Sequence, residues 1–129
     1  MEQRAYWDSV SEKKEFTTPF QADAFSRYVE KDALVVDIGC GYGRTLNELH
    51  QQGYGRLMGF DFSAEMIKRG KRLFPDLDLR VKEDETIALP DNSADAVILF
   101  AVLTCIVKNV DQIMPKYSQL HKFFLHLFI

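Results

Sequence analysis

At 129 residues the chain has the size of one domain, able to bury about two-thirds of the surface its unfolded form exposes. Its 47% hydrophobic and 27% charged content is ordinary for a soluble globular protein, and a net charge of -3 supplies no broad basic surface for nucleic acid. Met1-Glu2-Gln3-Arg4-Ala5 lacks the apolar core of a signal peptide, no apolar run approaches the ~18 residues that span a membrane, and Cys40 and Cys105 form neither a C-x-x-C pair nor a disulfide framework, so a cytoplasmic protein without a zinc site is expected.

In chain order, Tyr6, Trp7 and Val10 lie among charges up to about Lys14, with Phe16 following, as in an amphipathic helix and a short extension. Thr18-Pro19-Phe20-Gln21 predicts a helix start, with Thr18 as cap, Pro19 at the first helical position and Gln21 as capping-box partner. That helix is expected to run to about Lys31 and to present Phe20, Ala24, Phe25, Tyr28 and Val29 on one face. Leu34 to Ile38 is apolar without strict alternation, the pattern of a strand buried on both faces of a parallel sheet.

After the glycine-rich stretch at 39–43, Leu46 and Leu49 line a short helix that stops at Gly53. Arg56 to Phe60 is a second strand ending at Asp61. Ser63 then caps a helix that carries Glu65 in its first turn and Lys71 and Arg72 in its last, with Pro75 preventing continuation. Leu77 to Lys82 and Ala96 to Ala101 are the third and fourth strands, separated by a turn-rich segment from Pro90 to Ser93. Strands alternating with helices imply right-handed crossovers and a mainly parallel sheet with helices on both faces, an α/β fold. In the tail from Val107, Ile113, Tyr117, Leu120, Phe124 and Leu127 repeat at helical spacing, while Phe123 to Ile129 reads equally as a strand; both readings stand.

The first strand runs into Asp37-Ile38-Gly39-Cys40-Gly41-Tyr42-Gly43. Gly39, Gly41 and Gly43 can take positive φ and carry no Cβ, which lets backbone amides approach a ligand at a helix N-terminus. The spacing is not the dinucleotide G-x-G-x-x-G, since Arg44 stands where that pattern needs glycine, and the Asp37 carboxylate would disfavour a diphosphate. An acid there suits a cationic ligand. In a parallel sheet the ligand crevice lies outside the C-terminal strand ends, an edge that here collects the glycine loop, Asp61, the Glu83-Asp84-Glu85 acids and Phe100.

This seven-residue stretch, with Gly59-Phe60-Asp61-Phe62-Ser63 and Leu89-Pro90-Asp91-Asn92-Ser93-Ala94-Asp95, resembles the class I S-adenosylmethionine-dependent methyltransferases over roughly Tyr6 to Ile106. The resemblance implies a Rossmann-like three-layer αβα domain over residues 1–129, with an N-terminal helical segment (1–32), a βα core (33–106) and an atypical tail (107–129). It also implies S-adenosylmethionine as cofactor: Gly39, Cys40, Gly41 and Gly43 against its methionine and ribose parts, Asp37 at the amino end directly or through water, Asp61 on the ribose hydroxyls and Phe62 on the adenine face. Glu85 or, by a one-residue slip, Asp84 would accept from the adenine amino group, and Phe100 closes the crevice after strand four. The implied activity is methyl transfer to a small-molecule acceptor; Phe16, Phe100 and Thr104 are positional guesses for the acceptor side, and no catalytic residue is identified.

Plainer readings stand beside these. Asp61 can be a helix N-terminal acid, Asp37 a loop brace, Phe62 core, and Glu83-Asp84-Glu85 a solvated charge run. Cys40 reads as a small loop residue rather than a nucleophile, and His50, His121 and His126 lack metal-ligand spacing. No glycine follows Gly70, and Ala94 stands where the family usually has an aromatic residue. Loss of the family pattern after Ile106 leads to the expectation of a core truncated after its fourth strand. The alternative function is then a cofactor-binding fragment without turnover, a homo-oligomer through its open sheet edge.

Overall fold

The computed structural model describes residues 2–13, 19–83, 89–90 and 93–99. The elements are α1 (Glu2–Val10), α2 (Ala22–Ser26), β1 (Leu34–Ile38), α3 (Arg44–Gln51), β2 (Arg56–Asp61), α4 (Ala64–Leu73), β3 (Asp78–Val81) and β4 (Ala96–Ile98). The four strands form one parallel sheet in the order β3-β2-β1-β4. Successive strands step outward from β1 to β2 to β3, and the next is placed on the other side of β1. That reversal puts a topological switch point between β1 and β4, the place where open α/β sheets leave a crevice.

Two apolar clusters sandwich the sheet, as a Rossmann-like arrangement requires. One joins α2, α3 and α4 to one face through Phe25, Leu46, Leu49, Tyr54, Ile67 and Leu79. The other collects Val36, Ile38, Phe60, Val97 and Leu99 on the opposite face. β1 serves both because its side chains alternate between them, which explains an apolar run without polar alternation. Close approach of helix to sheet depends on two glycines: a Cβ on Gly59 would lie 2.8 Å from Cys40 Sγ and from Leu46, and one on Gly70 would lie 2.5 Å from both the Tyr42 carbonyl oxygen and Leu79.

The α4 boundaries agree with expectation: Ser63 is the N-cap and its side chain accepts from the Met66 amide at 3.2 Å, with Glu65 in the first turn and Lys71 and Arg72 in the last. α3 ends as expected, with Gly53 at φ 101° beyond the cap.

The second helix differs from expectation. Instead of a helix to Lys31, five residues are helical, Gln21 is the N-cap without a side-chain capping bond, and Thr18 lies outside the described residues. The Arg27 and Tyr28 amides bond to Ala24 and Phe25 three residues back, tightening the last turn, and Tyr28 is exposed rather than on the buried face with Phe20, Phe25 and Val29. The Val29 carbonyl instead accepts from the buried Tyr54 hydroxyl at 2.6 Å.

β3 is shorter than Leu77 to Lys82 because the Leu77 amide is used by the Phe74 carbonyl in the turn after α4. α1 ends at Val10, and residues 11–13 after it form a turn. β2 extends one residue further, to Asp61. β4 spans Ala96–Ile98; Phe100 and Ala101, and the whole tail, lie outside the described residues. Among the described residues, no helix is long and apolar enough to cross a membrane.

Candidate functional site

The C-terminal ends of β1 and β2 bring Asp37, the 39–43 loop and Asp61 together. β1 and β2 pair in register, Asp37 opposite Gly59 and Ile38 opposite Phe60, so the loop leaving β1 begins beside the residue that precedes Asp61. The Gly39 and Cys40 amides both donate to the Phe60 carbonyl, at 2.7 and 3.0 Å. The Gly41 amide donates to Asp61 Oδ2 at 2.9 Å, and the Ser63 amide to Asp61 Oδ1 at 2.8 Å. Asp61 is thus held by both carboxylate oxygens between the glycine loop and the start of α4.

Positive φ is realised at all three loop glycines, 77°, 59° and 94° at Gly39, Gly41 and Gly43. Their amides, however, do not form a cradle for an anion. Those of Gly39, Cys40 and Gly41 turn to β2, and that of Gly43 donates to the Cys40 carbonyl at 3.0 Å. A diphosphate site needs such donors facing outward. The loop instead offers a close-packed backbone with carboxylates beside it, which corrects the expectation that its amides face a ligand.

Two further members of the loop point inward. Cys40 is buried in the core cluster, its thiol 3.5 Å from the Gly41 carbonyl and pushed up from its ordinary range by burial, then by the charges of Asp37 and Asp61. A thiol so placed is a packing group rather than a nucleophile. Gly43 is the N-cap of α3, and a Cβ there would lie 3.2 Å from Leu79 and 3.3 Å from Leu77, so the missing side chain is what seats α3 on the sheet. Only the backbone of these two residues is available to a ligand.

Electrostatically the site is acidic, with both carboxylates buried. Asp37 is 4% exposed and Asp61 7%. Burial pushes the Asp37 carboxyl well above the usual carboxylate range, and the charge of Asp61 adds to the effect. Asp61 is also raised, by burial first, but the Ser63 and Gly41 amides and then Lys82 pull it back down. Phe62 is half-buried, with the Arg4 guanidinium 5.9 Å from its ring centroid. Asp84, Glu85, Phe100, Phe16 and Thr104 lie outside the described residues.

Sequence reasoning did not anticipate what braces the site. Ser63 is completely buried, and its hydroxyl donates to Asp8 on α1. Arg69, a cation 6% exposed in the middle of α4, donates to the Ser11 carbonyl at 2.9 Å and stacks 4.0 Å from the Tyr42 ring centroid. The Ser63 cap was readable from its neighbours. A lone serine–aspartate pair 55 positions apart, or an arginine within a charged helix, carries no sequence signal.

Residues 36–122 match the family described as methyltransferase domain, two-thirds of the chain. The chain is 39% identical over 64 residues to protein-lysine N-methyltransferase EFM4 of Saccharomyces cerevisiae, an alignment spanning 48% of this chain and 28% of that protein. It is 31% identical over 74 residues to methyltransferase-like protein 27 of Homo sapiens, spanning 56% and 30%. Among solved structures, phosphoethanolamine N-methyltransferase 1 of Haemonchus contortus superimposes with a TM-score of 0.73 at 18% identity, over 93% of this chain and 29% of that one. The chain therefore spans under a third of the length of each of these proteins.

Proposed function

The chain belongs to the class I S-adenosylmethionine-dependent methyltransferases, and from that premise we propose that it binds S-adenosylmethionine at the C-terminal edge of β1 and β2 and serves methyl transfer to a small-molecule acceptor. The observation that carries the cofactor reading is the pair of buried carboxylates. Asp61 accepts one amide on each oxygen, and a carboxylate has about four acceptor positions, so each oxygen retains one for a ligand hydroxyl. Asp37 stands buried beside it with no donor on its carboxylate among the described residues, a placement a cationic group would relieve. A nucleoside with vicinal hydroxyls and a positively charged amino-acid end satisfies both, and the donor set fits.

In this reading Asp61 receives the ribose hydroxyls, Asp37 faces the ammonium end, Phe62 lies against the adenine, and the backbone of Gly39, Cys40 and Gly41 forms the floor. Asp84 or Glu85 receives the adenine amino group, and Phe100 borders the acceptor. When bound, the cofactor supplies an already activated methyl group on a sulfonium centre. The chain's own contribution is alignment and exclusion of water, a role that needs no acid–base pair.

Calorimetric titration with S-adenosylmethionine and S-adenosylhomocysteine, with NADH as control, tests the reading. Micromolar binding of the adenosyl ligands that weakens by about 1–3 kcal/mol in Asp61→Ala is expected, from loss of hydrogen bonds to a charged acceptor. Absence of heat from a chain shown by circular dichroism to be folded overturns it. A lysine side chain in a protein is the second acceptor reading, favoured by the 39% identity to the yeast protein. Transfer of a labelled methyl group into small-molecule or into protein fractions separates the two.

A further inference from the structure

The short helix α1 and the turn after it reach the C-terminal ends of β2 and β3 and, through Arg69, the loop after β1. From α1, Arg4 donates to the Glu83 carbonyl after β3 at 2.9 Å and lies over the ring of Phe62 after β2. Asp8 accepts from the Ser63 hydroxyl, and the Ser63 amide in turn holds Asp61 Oδ1. The Ser11 carbonyl, in the turn that follows α1, accepts from Arg69, whose guanidinium lies on Tyr42 in the loop after β1.

Arg69 is buried between two groups that belong to different elements, one a carbonyl beyond the end of α1 and the other an aromatic face. A planar cation satisfies both at once: its edge donates while its face stacks. A carbonyl at a helix C-terminus also carries the negative end of the dipole, so the charge is favourably placed. Tyr42 is itself buried, and its carbonyl packs where Gly70, the next residue after Arg69 on α4, leaves room. The loop therefore cannot shift without disturbing the arginine.

We propose that Arg69 and Asp8 are positioning residues through which docking of α1 and binding of the adenosyl ligand are thermodynamically coupled. Arg69 links the turn after α1 to the glycine loop, and Asp8 links the last turn of α1 to Asp61 by way of Ser63. Neither touches the ligand. With α1 docked, the loop and the Asp61 carboxylate are held in the arrangement that accepts the nucleoside; with α1 released, both lose a brace. Linkage then requires ligand binding to tighten α1 by the same factor by which α1 docking tightens ligand binding. The inference rests on the cofactor reading above.

The chain has a single tryptophan, Trp7, and it lies on α1, so its fluorescence reports docking directly. Saturating S-adenosylhomocysteine is expected to reduce acrylamide quenching of Trp7 in the unaltered full chain. Arg69→Met and Asp8→Asn are each expected to weaken binding of S-adenosylhomocysteine by roughly 5-fold or more, in the range usual for coupled sites, and to raise Trp7 quenching in the absence of ligand. Arg69→Lys, which retains the charge and loses the planar face, recovers part of both effects. Glu12→Gln removes only the exposed Arg72 ion pair and leaves both readouts near those of the unaltered chain. Should Arg69→Met fail to fold, Asp8→Asn, a change on the helix surface, gives the same two readouts. Unchanged affinity in variants whose Trp7 is released overturns the coupling while the cofactor reading survives. No binding by the folded, unaltered chain overturns both.

Discussion

β1 and β2 end much alike, β1 with a buried aspartate next to its last residue and β2 on one, each followed closely by a turn into a helix, yet the two carboxylates stand in opposite conditions. Asp61 is gripped by the Gly41 and Ser63 amides and has Lys82 near enough to lower its pKa. Asp37 has burial and a like charge, and both raise its pKa. Asp61 therefore works as structure: it ties the loop after β1 to the helix after β2. Asp37 is a standing cost to the fold that a cationic ligand would offset. Burial alone does not say what an acid does; its donors do.

The largest break in this comparison is Asp61→Ala. Two buried amides lose their acceptor, and the unfolding free energy measured by urea titration is expected to fall by about 2–4 kcal/mol, alongside the loss of ligand affinity. Asp37→Asn acts in the opposite direction on stability and the same direction on binding. It is expected to raise stability at pH 7 by about 1 kcal/mol, the size of ordinary stabilising substitutions, while weakening S-adenosylmethionine in calorimetry. An equal loss of stability in both variants would erase the distinction between the two acids.

The pH dependence sharpens it further. A carboxyl whose pKa is raised on folding binds its proton more tightly in the native state, so its contribution is fully present below the unfolded value of ~3.9 and is lost as pH rises through the folded value. Urea titrations from pH 4 upward are therefore expected to show a falling component of stability that Asp37→Asn flattens. Ser63→Ala comes next: it removes the cap of α4 and the bond to Asp8, for about 1 kcal/mol by thermal denaturation. The smallest effect is expected from Arg80→Ala. That exposed pair with Asp78 lies on the edge strand, and its loss costs less than about 0.5 kcal/mol on the same assay.

Much of this arrangement could be read from local chemistry. Caps, dipole-matched charges and a proline placed α4 between Ser63 and Pro75, and a branched apolar run placed β1, because those signals act between residues a few positions apart. The same locality explains the misreading of α2. Thr18-Pro19-Phe20-Gln21 has the composition of a capping box, but Tyr54, from the far side of β1 in sequence, takes the Val29 carbonyl and fixes where the chain turns. β3 starts later than its apolar pattern predicts for a related reason, since the Leu77 amide has its partner in the preceding turn.

By itself the sequence determined the α/β alternation, the glycine turn with positive φ, and the two end-of-strand acids, since glycine, proline and capping residues act on their own neighbourhood whatever the rest of the chain does. Only the tertiary structure decided that the loop's amides turn inward to β2, that Cys40 and Gly43 face the core, and that α1 braces the site through Asp8 and Arg69. Those outcomes depend on partners 20 to 58 residues away, as in Gly41 with Asp61 and Ser11 with Arg69, and the choice among such partners is made by packing. A buried donor or acceptor must find whichever complement the fold brings to it.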